Sequence, residues 1–110
     1  MRKGEKVKTF FDGVFIAKEH LEEAGIKYPI KLEYFKTSRK ENVETKYGIE
    51  IVKTEYLEGN VKIELKEIEN VTNYNEEIEN ILTLLKNNEV TPIGAEDVLQ
   101  DLLEDGEYKN

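Results

Sequence analysis

The sequence contains no cysteine and no tryptophan, one histidine (His20), one serine (Ser38) and two prolines. Without cysteine there can be no disulfide and no thiolate-metal site, which fits a reducing cytoplasm as the expected location. A zinc site draws on several nitrogen or sulfur ligands, so a single histidine between Lys18 and Glu22 reads as a surface side chain. Nucleophilic triads fail for the same want of partners, since Ser38 sits alone in a charged stretch. No glycine-rich phosphate loop and no Asp-x-Asp-x-Asp-Gly calcium loop occurs. No run approaches the roughly 18 apolar residues of a membrane span. The start, "MRKGEKVKTFF", is basic and lacks the apolar core of a signal peptide. These absences predict no enzyme, no cofactor, no metal and no membrane partner.

What is present is a charged, patterned chain of 110 residues and 12.8 kDa, the size of one domain spanning 1–110. A chain of this length buries roughly 65% of its unfolded surface, enough for one core. Charged residues (36%) nearly equal hydrophobic ones (38%), but the apolar residues are periodic, which argues for a fold rather than disorder. The net charge of −8 is unevenly placed. Residues 1–75 carry 14 acidic and 14 basic side chains, whereas residues 76–110 carry 10 acidic ones against Lys86 and Lys109. That last third would be repelled by a polyanionic duplex.

Alternation and punctuation outline three parts, 1–26, 28–68 and 74–105. In the first, "KVKTFFDGVFI" reads as two strands around an Asp12-Gly13 hairpin turn, and a short helix near 17–24 closes on Gly25. A rival reading runs one helix from Thr9 or Asp12 to Gly25; Gly13 and the β-prone Val14-Phe15-Ile16 weigh against it. In the second part, Tyr28, Ile30, Leu32 and Tyr34 alternate with polar residues, "SRKENVET" is a loop, and Tyr47, Ile49 and Ile51 repeat the pattern. The pair Ile51-Val52 breaks the alternation, and a β-bulge there is expected. After the "LEGN" turn, Val61, Ile63 and Leu65 form a third meander strand with one wet face.

The period then becomes helical. Tyr74, Ile78, Ile81, Leu82 and Leu85 form one stripe, with Asn73 expected as N-cap and Glu76 as its capping-box partner. Thr91-Pro92 ends that helix and starts the next, because the residue before a proline leaves the α region. Gly94 is expected to permit close packing at this corner. Ala95, Val98, Leu99, Leu102 and Leu103 make the second stripe, with Glu96, Asp97, Asp101 and Glu104 opposite. The predicted fold is therefore α+β: a small antiparallel sheet, made of an N-terminal hairpin and a three-strand meander, packed on one face by two C-terminal helices.

Paired carboxylates are abundant, but catalysis needs them in a cleft with separated pKa values, and these lie on exposed helix faces. Leu84 is off its stripe, on the side of Glu77 and Asn88. Leu84, Asp97, Asp101 and Glu104 are thus the candidate protein-contact residues, an apolar anchor beside an acidic face that could steer a basic partner. The structural alternative makes Leu84 part of a helix buried on two sides and the acids mere solvated surface.

The stretches "LEYFK", "KYGIEIVK", "NVTN", "LLKNNEVTPI" and "DVLQDL" resemble a family of small proteins of unknown function from spore-forming anaerobes, over roughly residues 29–104. That resemblance implies no activity and no site residue. More locally, "DGVFIAKEHLEEAGI" (12–26) is similar to the swapped-hairpin DNA-binding modules of transition-state regulators and antitoxins, through Ile16, Lys18, Leu21, Gly25 and Ile26. Ala17 stands where those modules have proline, and Val14 where a basic residue commonly follows the turn. The expected function is a non-enzymatic regulatory or adaptor protein that binds a protein partner or itself. The alternative is a nucleic-acid binder using Arg2, Lys3, Lys6 and Lys8 with Lys36, Arg39 and Lys40.

Overall fold

The computed structural model describes residues 4–17 and 28–105. Their order is β1 (Lys6–Ile16), β2 (Ile30–Glu41), β3 (Glu44–Leu57), β4 (Asn60–Thr72), α1 (Asn75–Asn87) and α2 (Ala95–Asp105). The strands form one antiparallel sheet in the order β1-β2-β3-β4, so chain neighbours are also sheet neighbours. The α+β architecture expected from the alternating and helical periods is the one observed. His20 and the predicted helix near 17–24 fall almost entirely outside the described residues.

The N-terminal strand departs from expectation. Asp12-Gly13 is not a turn: β1 runs straight through it and pairs with β2 from Lys6↔Arg39 to Ile16↔Ile30. The local irregularity is a bulge between Phe10 and Asp12. The Asp12 carboxylate accepts the Gly13 N–H at 2.8 Å, so the turn-forming side chain satisfies a bulged backbone instead. The bulge also lets Phe11 pack against the core, while Asp12 faces Lys86 of α1 at 3.6 Å.

The meander differs in detail too. The expected loop at 38–45 shrinks to Asn42-Val43, with Asn42 in the left-handed region (φ 56°). No bulge occurs at Ile51-Val52, where the β2–β3 register is unbroken. The second irregularity lies opposite Tyr47–Ile49, in β4 between Ile68 and Thr72, where Asn70 has φ 56°. Gly48 faces this irregularity. A Cβ there would stand 2.4 Å from the Ile68 carbonyl and 2.8 Å from Thr37 Oγ1, so glycine is what allows β4 to cross so closely.

Both helices lie on one face. Leu32, Tyr34, Ile49 and Ile51 point from the sheet into Ile78, Ile81, Leu82 and Leu85 of α1, and Val90, Ala95, Leu99 and Leu102 extend the core toward α2. Leu103, expected in that stripe, is exposed. The N-cap of α1 is Tyr74 rather than Asn73, without a side-chain cap bond. Thr72 acts there instead, its Oγ1 accepting the Tyr74 N–H and donating to Glu77.

The joint between the helices is built by hydrogen bonds. Val90 N–H donates to the Leu85 carbonyl and Glu89 N–H to that of Lys86, a Schellman ending with Glu89 in the left-handed position (φ 51°). The buried Tyr34 hydroxyl donates to the Val90 carbonyl at 2.8 Å and ties the joint to the middle of the sheet. Burial, with the nearby Glu89 carboxylate, pushes the Tyr34 phenol well above its ordinary value. Pro92 is buried in the following turn. Gly94 does not fill the role expected of it: a Cβ at that position would meet nothing within 4 Å, so the corner is open there.

Candidate functional site

Both described helices pack on one face, so no described element covers the other, and its composition is unusual. Cross-strand partners share a face, and Leu32, Tyr34, Ile49 and Ile51 mark the covered one. The intervening residues therefore make up the open face: Lys6, Lys8, Phe10 and Phe15 of β1; Lys31, Glu33, Phe35, Thr37 and Arg39 of β2; Glu50, Val52, Thr54 and Tyr56 of β3; and Val61, Ile63, Leu65 and Glu67 of β4. Phe10 (56%), Phe15 (61%), Ile63 (60%) and Leu65 (62%) are exposed on it, well beyond what an isolated surface hydrophobe contributes. Phe10 packs edge-on against Phe35 (centroids 5.7 Å) and Phe15 tilts toward Tyr56 (6.3 Å). Two aromatic pairs thus stand on a rigid, hydrogen-bonded platform.

The charges on this face are neutralised in place. Glu50 and Glu67 oppose each other across β3 and β4, an unfavourable pair by itself. Lys8 meets Glu50 at 2.9 Å and lies 4.7 Å from the centre of the Phe35 ring; Lys6 meets Glu67 at 2.5 Å. The hydrogen bond to Glu67 holds the Lys6 ammonium above its ordinary pKa. Arg39 approaches Glu69 at 3.5 Å. Lys31 is likewise raised, by its hydrogen bond to Tyr56 and by Glu33. The result is an apolar region toward the Phe15–Ile63 end and a paired, nearly neutral polar region toward the Lys6–Arg39 end.

The residues singled out from the sequence lie elsewhere. Asp97, Asp101 and Glu104 are exposed on one side of α2 at helical spacing, with Glu104 accepting a hydrogen bond from Gln100. Leu84 does not stand beside them as an exposed anchor. It is half-buried and packs against the core, because α1 is covered on more than one side. Of the basic residues expected to meet nucleic acid, Lys6, Lys8 and Arg39 are engaged as above and Lys36 binds Glu79 at 2.9 Å and Asn75 at 2.6 Å. Lys40 is exposed, and Arg2 and Lys3 fall outside the described residues.

The open face was legible in principle. Val52, Thr54 and Tyr56 break the expected parity of β3, and that break marks apolar residues on a second face rather than a bulge. Two shallow grooves flank α2. One, of about 430 Å³, is lined by Ile68, Leu99, Leu103 and the Glu96 and Glu104 carboxylates. The other, of about 340 Å³, runs beside β4 and includes Pro92, Ile93, Glu64 and Lys66. Among the described residues no group of three or more histidine, aspartate or glutamate side chains could hold a metal ion, and no helix is long and apolar enough to cross a membrane.

A family model described as a family of unknown function, DUF6514, matches residues 13–105. The chain belongs to this family. The DUF6514 match takes in β2 to α2 whole and enters β1 at Gly13, so the described open face, the helix pair and the Schellman joint lie largely inside it. No curated protein and no solved structure matches the chain.

Proposed function

We propose that this protein is a non-enzymatic binding module whose uncovered sheet face docks the surface of another protein. The observation that carries the reading is the exposure of Phe10 and Phe15 on β1 and of Ile63 and Leu65 on β4, at the two edges of the face that no described helix covers. A rigid face with aromatic anchors and neutralised charges supplies apolar burial with little ordering cost, which is what interface centres provide. The acidic side of α2 is then a steering element: a concentrated negative surface speeds encounter with a basic partner more than it adds affinity. A regulatory or adaptor role in the cytoplasm is consistent with both.

Nucleic acid is the weaker reading. Phosphate binding needs cations free to release counterions, whereas Lys6, Lys8, Lys36 and Arg39 each face a carboxylate. A heparin column at low salt separates the two: the docking module passes, and retention that requires Lys6 and Lys8 would favour nucleic acid.

The direct test is site-specific photocrosslinking in host cells, with a photoreactive phenylalanine analogue at Phe15 or at Asp101. Adducts from position 15 and not from 101 support the sheet face. Adducts from 101 alone would shift the contact to α2, and none from either position would refute the docking reading.

A further inference from the structure

β4 is an edge strand, and among the described residues no further strand pairs with the outer side of its first half. The turn at Glu58-Gly59 makes Leu57↔Asn60 the closing pair of the β3–β4 hairpin. Hydrogen-bonded and non-hydrogen-bonded pairs alternate along an antiparallel ladder. Counted from that pair, Val61, Ile63 and Leu65 direct their N–H and C=O groups away from β3. The Val61 N–H bears this out, since it donates to the neighbouring Asn60 side chain at 2.8 Å. The same three residues carry exposed apolar side chains, and among the described residues no strand pairs with this stretch of edge.

The opposite edge is guarded differently. β1 carries a bulge between Phe10 and Asp12 in the middle of its length, a device that discourages strand addition. The irregularity of β4 comes only after Ile68 and leaves residues 60–68 regular.

We infer that a second copy of this chain pairs along the β4 edge, antiparallel about a two-fold axis at Ile63, to form a continuous eight-stranded sheet. The sequence Val61-Lys62-Ile63-Glu64-Leu65 is self-complementary in that register. Ile63 opposes Ile63, Val61 opposes Leu65 of the second copy, and Lys62 opposes its Glu64. Opposite charges in facing positions stabilise a strand pair and like charges oppose it. A one-residue step is excluded because it would set the two faces of the sheet against each other. A two-fold at Glu64 would face Lys62 with Lys66 and Glu64 with itself. One at Leu65 would face Ile63 with Glu67. Only the register at Ile63 satisfies both the apolar and the charged rows.

The covered side of the sheet offers a flank for the added strand. The groove of about 340 Å³ beside β4 is walled by Glu64, Lys66 and Ile93, and Ile93 is 81% exposed. Joined at the edge, the two open faces merge into one wider apolar platform. Edge pairing extends the reading of the open face without depending on it, since Lys62 and Glu64 lie on the helix side of the sheet.

The experiment uses the intact chain and two single variants, Lys62→Glu and Glu64→Lys, in light scattering and sedimentation velocity up to NMR concentrations. Wild type should reach twice 12.8 kDa. Each variant alone sets like charges against each other and should remain monomeric with an unchanged far-ultraviolet spectrum. Mixed in equal amounts they should recover the double mass. In the mixed pair the carboxylate introduced at position 62 of one chain faces the ammonium introduced at position 64 of the other, and the native Lys62 and Glu64 face each other in the second pair. A monomeric wild type overturns the inference. So does a Lys62→Glu variant that dimerises as wild type does, or a mixture that stays monomeric. None of these outcomes alters the photocrosslinking result expected at Phe15.

Discussion

Replacing Gly48 with alanine tests whether the close crossing of β3 and β4 holds the sheet together. The new methyl would lie 2.4 Å from the Ile68 carbonyl, 2.8 Å from Thr37 Oγ1 and 3.0 Å from Glu69 Cα. Two of these atoms are backbone, and Thr37 is itself buried, so no flexible side-chain end can yield. Relief requires β4 to move at its irregularity, which would disturb the Tyr47↔Thr72 and Ile49↔Ile68 pairs. Overpacking of this kind costs about 1–3 kcal/mol, and contact with backbone places Gly48→Ala near the upper end. The gain from stiffening the unfolded chain, about 0.4–1 kcal/mol, offsets part of it. A net loss of about 2 kcal/mol corresponds to a drop of roughly 8–16 °C in a domain of this size. Differential scanning calorimetry and urea titration measure it. Gly94→Ser is the control: nothing stands within 4 Å of its Cβ, and Gly94 lies where a serine can cap α2, its carbonyl accepting the Val98 N–H. The control should be neutral or slightly stabilising. If Gly48→Ala melts within about 2 °C of wild type, less than a 1 kcal/mol change would give, the crossing is loose and the reasoning fails.

Tyr34→Phe removes the donor to the Val90 carbonyl in a buried setting and should cost about 1–3 kcal/mol in urea unfolding. Glu89→Gly relieves a non-glycine left-handed residue at the end of α1 and should stabilise by about 0.5–1 kcal/mol, read as a raised melting temperature. Leu84→Ala should destabilise by about 1–2 kcal/mol, below the cost at a fully buried leucine, because that side chain packs partly on the core. The Lys36 hydrogen bond holds the Glu79 carboxyl below its ordinary range, so its contribution is present above the unfolded carboxylate pKa and is lost as pH falls through the folded one. The Glu79 side chain stays 45% exposed and screened by water, so the effect is small. Thermal melts from pH 7 to pH 3 should show a slightly shallower acid decline for Lys36→Met than for wild type.

Much of this architecture follows from local pattern. The alternation through Ile30, Leu32 and Tyr34, the run Ile49–Ile51, and the helical spacing from Ile78 to Leu85 each match one element, because period 2 or 3.6 is all a half-buried strand or helix requires. Two C-terminal helices are legible in their spacing, but Thr91-Pro92 does not set their ends: α1 closes at Asn87 through the Schellman bonds, and α2 begins only at Ala95, after the Pro92–Gly94 turn. Local pattern and structure part where a local signal meets a non-local demand. Asp12-Gly13 carries strong turn chemistry, but β1 gains more by pairing with β2 along its whole length, and Asp12 spends its carboxylate on a bulge and on Lys86. Gly48 and Gly94 look alike in sequence, yet one is pressed against a neighbouring strand and the other faces open space. Leu84 was ambiguous because a helix wheel does not say how many neighbours surround the helix. The open face depends most on three dimensions: Phe10, Phe15, Ile63 and Leu65 come from strands far apart in the chain. Only the packing of both described helices on one side of the sheet places those scattered side chains on the opposite face.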